Sequence, residues 1–216
     1  IKDGTKNDNH AFDAKFLPLA KEILLLMSTK VNSHESDSDD YVNFTLNSTK
    51  GKMLDSMLSY SLRKARVEGK KEWDKEISEF YKTELQQNPS IELHTILGEC
   101  IRNFIYLDEQ WFKENIILIF PTDKTELLHA AMSGYLFDPT VYANLYKMLK
   151  EGGVYNSVIS TWKDNSEHIR KQLVAHICLS YAEGWETIEE ELIKLLIKEK
   201  DSHKDIIHFF SSNSKN

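Results

Sequence analysis

Residues 47–69, Asn-Ser-Thr-Lys-Gly-Lys-Met-Leu-Asp-Ser-Met-Leu-Ser-Tyr-Ser-Leu-Arg-Lys-Ala-Arg-Val-Glu-Gly, decide the fold class. Leu54, Leu58, Leu62 and Ala65 recur at intervals of three and four, the period of one face of an α-helix. Asn47 or Ser48 stands where a side-chain oxygen can cap the first turn, and Gly69 stands where a helix ends left-handed. Start, stripe and stop agree on one helix.

Working outward, the same grammar repeats. Trp73, Ile77, Phe80 and Tyr81 mark a second helix, and Asn88-Pro89-Ser90 stops it and caps a third through Leu93, Leu97, Ile101 and Phe104. Asp108 opens a helix through Trp111, Phe112 and Ile116 that Pro121 closes. Asp123 with Glu126, Asp138-Pro139, Asp164 with Glu167, and Thr187 with Glu190 read as four further starts. Gly152-Gly153 is a break, and Ile206, Ile207, Phe209 and Phe210 mark a last segment. Towards the amino end, Phe12, Phe16, Leu19, Ile23 and Leu26 also keep the helical period, with Pro18 as a kink or restart. Tyr41 to Thr45 alternates like a strand but has no partner run, and Ile116 to Phe120 sits behind Asp108 at helical spacing. The expected class is all-α.

Pairing the helices gives starts near residues 48, 90, 123, 154 and 187 without a repeated consensus. Units of this length suit antiparallel helix pairs stacked as a HEAT-like α-solenoid, with a compact helical bundle as the alternative. The expected organisation is an N-terminal helical segment over 1–32, with a frayed start over 1–10. An acidic linker over 33–46, a helical-repeat domain over 47–212 and a mobile tail over 213–216 follow.

The 216 residues carry 27 Lys plus Arg against 34 Asp plus Glu, a formal charge of −7, with 41% hydrophobic and 28% charged residues. That balance belongs to a folded chain and excludes global disorder. The two cysteines, Cys100 and Cys178, make no disulfide framework and fit a reducing, cytoplasmic setting. The longest apolar runs, Ile23 to Met27 and Ile116 to Phe120, fall far short of the ~20 residues of a membrane span, so no membrane partner is expected. The start Ile-Lys-Asp-Gly lacks an initiator Met and an apolar leader core, which reads as a segment of a longer protein.

Enzyme signatures are missing. Of the eight histidines, His203 and His208 are five apart, His176 and Cys178 are two apart and fall on different helix faces, and His168 with His176 has no third ligand nearby, so no zinc set is expected. Counting a calcium loop from Asp37 places Val42 where glycine is needed and Ser48 where glutamate is needed. Gly51-Lys52 is followed by Met53, so no phosphate-loop hydroxyl follows the lysine. Cys100 and His94 are poorly spaced for nucleophile activation. The sequence therefore predicts no catalytic residue, no metal and no cofactor. Cys100, Cys178 and the tryptophans Trp73, Trp111, Trp162 and Trp185 read as packing residues, with each indole N–H placed to reach a terminal carbonyl. Gly98 and Gly134 lie inside helices, where they predict a close helix contact, and Gly51 in a first turn predicts a close backbone approach. The one concentrated charge is the basic set Arg63, Lys64, Arg66, Lys70 and Lys71, opposed by Glu68. It reads as a helix carboxyl end favourable to cations, or as a contact for nucleic acid or another phosphate.

The stretch Leu46 to Leu54 with Leu58, Tyr60, Leu62 and Arg63 resembles a region of large bacterial anti-phage defence proteins. So do Leu107-Asp108-Glu109-Gln110-Trp111, Ile119-Phe120-Pro121 and Gly134-Tyr135-Leu136, and the likeness runs over residues 41–185. In that family a STAND-class NTPase or a sirtuin-like NAD-hydrolysing module precedes a long helical-repeat carboxyl region. The resemblance implies a non-catalytic sensor or scaffold whose partner is a phage protein or another domain of the same chain, with the enzyme elsewhere.

Overall fold

Ser48 accepts a hydrogen bond from the Gly51 N–H at 2.8 Å and starts the longest helix, Thr49–Glu68, which ends at Gly69 with φ +65°. This element is α4 of fourteen α-helices in a computed structural model that describes residues 1–34, 36 and 39–213. Before it come α1 (Asp3–Lys6), α2 (Leu17–Ser28) and α3 (Tyr41–Asn47). After it come α5 (Lys75–Gln87), α6 (Ile91–Glu99), α7 (Ile101–Leu107), α8 (Glu109–Ile119) and α9 (Thr125–Tyr135). The remainder are α10 (Ala143–Glu151), α11 (Val154–Ser160), α12 (Glu167–Ala182), α13 (Glu191–Lys198) and α14 (Ser202–Asn213). Among the described residues there is no strand, and the fold is all-α.

Helices packed on one another join both halves of the chain. α2 packs on α4, α4 on α6, α6 on α9, and α12 on α14, while Tyr135 of α9 meets His176 of α12 edge to face at 5.3 Å. α3 lies across α4, α6 and α9. One hydrophobic core runs through the chain from Leu17 to Leu196, so the N-terminal segment is built into the same body as the rest.

The largest contact joins α6 to α9. Both helices bury nearly every residue in it, Leu93 to Gly98 on one side and Leu128 to Tyr135 on the other. A methyl on Gly98 would stand 2.0 Å from the Ala131 carbonyl oxygen, and one on Gly134 would stand 2.1 Å from that of Thr95. The pairings Thr95 with Gly134 and Gly98 with Ala131 run in opposite directions, as in an antiparallel pair. Backbone touches backbone here, as the two glycines predict. Gly51 does the same at the start of α4, where a methyl would meet the Thr45 carbonyl oxygen at 2.0 Å.

Several sequence expectations shift. Residues 1–10 are not frayed: α1 packs on α4 and Thr5 is fully buried. Tyr41 to Leu46 is neither linker nor strand but most of α3, capped by Asp40, which accepts from the Asn43 N–H at 3.0 Å. The helix expected through Leu93 and Phe104 breaks at Cys100 into α6 and α7. Asp123 is not a cap, because α9 begins after Lys124 without a side-chain bond. Asp138 spends its carboxylate on the Thr140 N–H at 2.9 Å, so α10 starts only at Ala143. Ser166 rather than Asp164 caps α12, and α13 starts at Glu191 with no capping box from Thr187. Asn213 still belongs to α14; Ser214 to Asn216, and Glu35, Asp37 and Ser38 of the expected linker, lie outside the described residues.

Alanine is favoured over glycine in a helix by ~1 kcal/mol, yet Gly98→Ala and Gly134→Ala must push two backbones apart. Each is expected to lower stability by about 2 kcal/mol or more in urea denaturation, as over-packed cores do. The double variant is expected to lose less than the sum, because one separation relieves both clashes.

Candidate functional site

The basic set at the carboxyl end of α4 is brought to one region, but most of it is already engaged. Arg63 pairs with Asp8 at 2.5 Å, and Arg66 reaches Asp8 at 3.2 Å while its other nitrogen donates to the Thr5 carbonyl at 2.9 Å. Lys64 pairs with Asp74 at 2.8 Å. Lys71 lies over the Tyr106 ring, 5.3 Å from its centre, a cation–π contact. Lys70 is exposed and makes no ion pair among the described residues. Three of the five cations therefore serve internal joints: Arg63 and Arg66 clasp the amino-terminal segment, and Lys64 holds the loop into α5.

Asp74 is the centre of the second joint. Its side chain is almost wholly buried, caps α5 by accepting from the Glu76 and Ile77 N–H groups, and faces Lys21 at 3.8 Å besides Lys64. Beside it Trp73 packs on Trp111, Phe104 and Tyr81, with ring centres 4.7, 5.2 and 5.3 Å away. The indoles are packing residues, but the nitrogens of Trp73, Trp111 and Trp162 reach no carbonyl.

The amino-terminal clasp covers a small cavity of about 240 Å³, lined among others by Lys2, Lys6, Asp55, Glu99 and Cys100. Lys2 is ion-paired with Asp55. Burial, then the Glu99 and Asp55 carboxylates, push the Cys100 thiol well above its ordinary range, so it is no nucleophile in this state. Glu99 is itself raised, by burial first and Asp55 second. Cys178 is buried and raised to about 11 by burial. Among the described residues no three His, Cys, Asp or Glu side chains gather as metal ligands, and no helix is long and apolar enough to cross a membrane.

A different surface emerges on α2. Leu17, Ala20 and Leu24 pack inward, whereas Leu19, Ile23 and Leu26 of α2 and Phe16 just before it face solvent; Phe12, the first of the periodic set, lies outside the helix and packs against the core. Leu19 is 53% and Leu26 64% exposed. Both faces of this helix are apolar, and the run Leu24-Leu25-Leu26 in the sequence carries that signal. Pro18 falls in the first turn, where its missing N–H costs nothing, so it restarts the helix without kinking it. Ile207 and Phe210 of α14 and Tyr181 of α12 are likewise exposed.

No family model matches the chain, and no curated protein or solved structure is significantly similar to it.

Asp74→Ala removes a cap and one half of a largely buried ion pair, and a loss of about 3 kcal/mol in urea denaturation is expected. Asp8→Ala, at an exposed pair, is expected to change the midpoint far less.

Two buried imidazoles set an acid limit. Burial lowers His94 to about 4, opposed in part by its hydrogen bond to the Ile119 carbonyl at 2.8 Å. Burial lowers His176 to about 4 as well; its ring nitrogens find no hydrogen-bonding partner, and the neighbouring Asp138 backbone and carboxylate oppose only part of the shift. An unfolded histidine binds its proton near 6.5, so between that value and 4 the unfolded chain holds more protons than the folded one. Stability from these residues is complete above pH 6.5 and is expected to fall as pH drops towards 4, by on the order of 3 kcal/mol each. Urea midpoints measured along that range check it, and His176→Phe is expected to flatten the slope.

Proposed function

We propose that this chain is a non-catalytic helical protein-binding region, the sensor or scaffold part of a larger cytoplasmic bacterial anti-phage defence protein. In this reading its helices stack as an α-solenoid, in the order α2, α4, α6, α9, α12, α14, and an effector enzyme lies elsewhere in the full chain. The carrying observation is the uncovered apolar stripe Leu19, Ile23 and Leu26 on the outer face of α2, extended by Phe16 just before its first turn. Isolated exposed leucines are ordinary on protein surfaces, but a stripe along one helix marks a place for another protein surface. A stacked array terminated against water carries a polar outer face on its last helix, and α2 has an apolar one. The exposed Ile207 and Phe210 at the opposite end of the row support the same reading. The resemblance over residues 41–185 supplies the choice of system, with a phage protein or a neighbouring domain as the partner.

Purified phage proteins and the separately expressed remaining domains of the full chain, titrated one by one against this chain in calorimetry, test this reading. A binder with a negative heat-capacity change is expected. The double variant Leu19→Glu/Leu26→Glu is expected to weaken it roughly tenfold or more while keeping the wild-type circular dichroism. The absence of any binder, or a binder indifferent to the double variant, refutes it.

A further inference from the structure

At the carboxyl end of α4 one carboxylate is shared by two guanidiniums. Arg63 and Arg66 stand one turn apart on the helix, and both contact the same oxygen of Asp8, Oδ1, at 2.5 and 3.2 Å. Each holds Asp8 through a single bond, short of the two parallel bonds a guanidinium makes to an oxyanion that fits it. The Nε–H of Arg63 is buried and has no acceptor. The Asp8 side chain is 52% exposed, so the anion filling this seat is half in water, where an ion pair contributes little.

Two full positive charges meet one negative charge here. Among the described residues no second carboxylate pairs with either guanidinium. The neighbouring acids have cations of their own: Asp55 is paired with Lys2, Glu99 faces Lys2 and Lys6, and Glu68 and Asp74 face Lys64. The carboxyl end of α4 adds about half a negative charge, which two guanidiniums outweigh. The seat is left short of negative charge and of acceptor oxygens, and a phosphate monoester brings nearly two charges and three such oxygens. A nucleic-acid strand fits less well. No aromatic ring stacks on either guanidinium among the described residues to carry a base, and a polyanion meets a chain of net charge −7.

We propose that Arg63 and Arg66 form a seat for the phosphate of a phosphorylated protein side chain, and that Asp8 fills it in cis until that ligand displaces it. The phosphate oxygens take the bonds from Arg63 Nη1 and Arg66 Nε that Asp8 now accepts, and the buried Arg63 Nε–H gains an acceptor. Arg66 keeps its bond to the Thr5 carbonyl at 2.9 Å through its other nitrogen, so α1 stays on α4 while the Asp8 side chain swings into water. Asp8 has the advantage of attachment to the same chain, and the phosphate has the advantage of charge and oxygen count. This site is separate from the α2 surface, and neither reading depends on the other.

Fluorescence anisotropy at physiological salt tests the seat with a labelled glycine–alanine peptide bearing one central phosphoserine, its unphosphorylated counterpart, and a labelled single-stranded oligonucleotide. The phosphopeptide is expected to bind roughly tenfold more tightly than either of the others. Arg63→Gln and Arg66→Gln are each expected to weaken it about tenfold. Asp8→Asn removes the competitor and is expected to tighten it about fivefold, a gain that a purely structural role for the clasp does not produce. Lys82→Gln, the same loss of charge on the exposed face of α5, and the Leu19→Glu/Leu26→Glu double variant are expected to leave it unchanged. Inorganic phosphate is expected to displace the peptide only at roughly tenfold higher concentration, and displacement at equal concentration overturns the protein-borne source. No binding, equal binding of the two peptides, tighter binding of the oligonucleotide, or an Asp8→Asn chain that binds no better overturns the proposal. The Asp8 side chain is exposed, so that variant reports on the seat even where Arg63→Gln disturbs folding. Because the α2 variant is scored in the same series, failure here is distinguishable from failure of the α2 surface.

Discussion

The contact of α6 with α9 is the constraint on which the arrangement rests. Two helices can place backbone on backbone only where no side chain intervenes, and Gly98 and Gly134 supply that absence on opposite partners. The reward is dispersion between densely packed main chains and burial of Leu93, Ile96, Leu97, Leu128, Ala131 and Met132 around the crossing. The close crossing also fixes α3, which lies across both helices, and through Tyr135 it fixes α12. The placement of α3 and α12 therefore depends on a glycine pair that neither helix carries.

Buried polar groups hold the second half of the molecule in register. Glu186 is almost wholly buried, takes the Lys150 ammonium at 2.7 Å and accepts from the Tyr146 hydroxyl at 2.9 Å. Tyr146 packs on Tyr155 at 4.8 Å, whose hydroxyl meets that of Tyr135 at 3.2 Å. A hydrophobic replacement at such a site preserves burial but gives up the direction of the bonds. In the first half Lys50 plays the matching part, paired with Glu84 at 2.7 Å and donating to Ser33 at 2.9 Å.

What was legible in the sequence was local. Ser48, Ser90 and Asp108 cap the helices that follow them because the bond spans three residues and needs nothing else. Gly98 and Gly134 were legible for a similar reason, since glycine inside a helix asks for a neighbour's backbone. Asp138 misleads because its short side chain serves a turn, accepting from the Thr140 N–H, as readily as a cap; α9 and α13 begin after Asp123 and Thr187 without a side-chain cap bond. The roles of Arg63, Arg66 and Lys64 were hidden because their partners Asp8 and Asp74 lie across a turn or at the far end of the segment. The α2 stripe was visible as a period, but a period says which residues share a face and not whether that face is covered. α3 is hidden in the sequence because Tyr41 to Thr45 alternates like a strand directly after a polar, acidic run.

Cys100 lies beside the clasp that Asp8, Arg63 and Arg66 close over the amino-terminal segment. In this state Lys2 and Lys6 line the same cavity as the thiol, and burial first, then the Glu99 and Asp55 carboxylates, keep the sulfur protonated. Lifting that segment would admit water, restore an ordinary thiolate fraction and make the sulfur open to alkylation. The chain thus carries its own chemical gauge of how often its first residues let go, read as a labelling rate at a single atom.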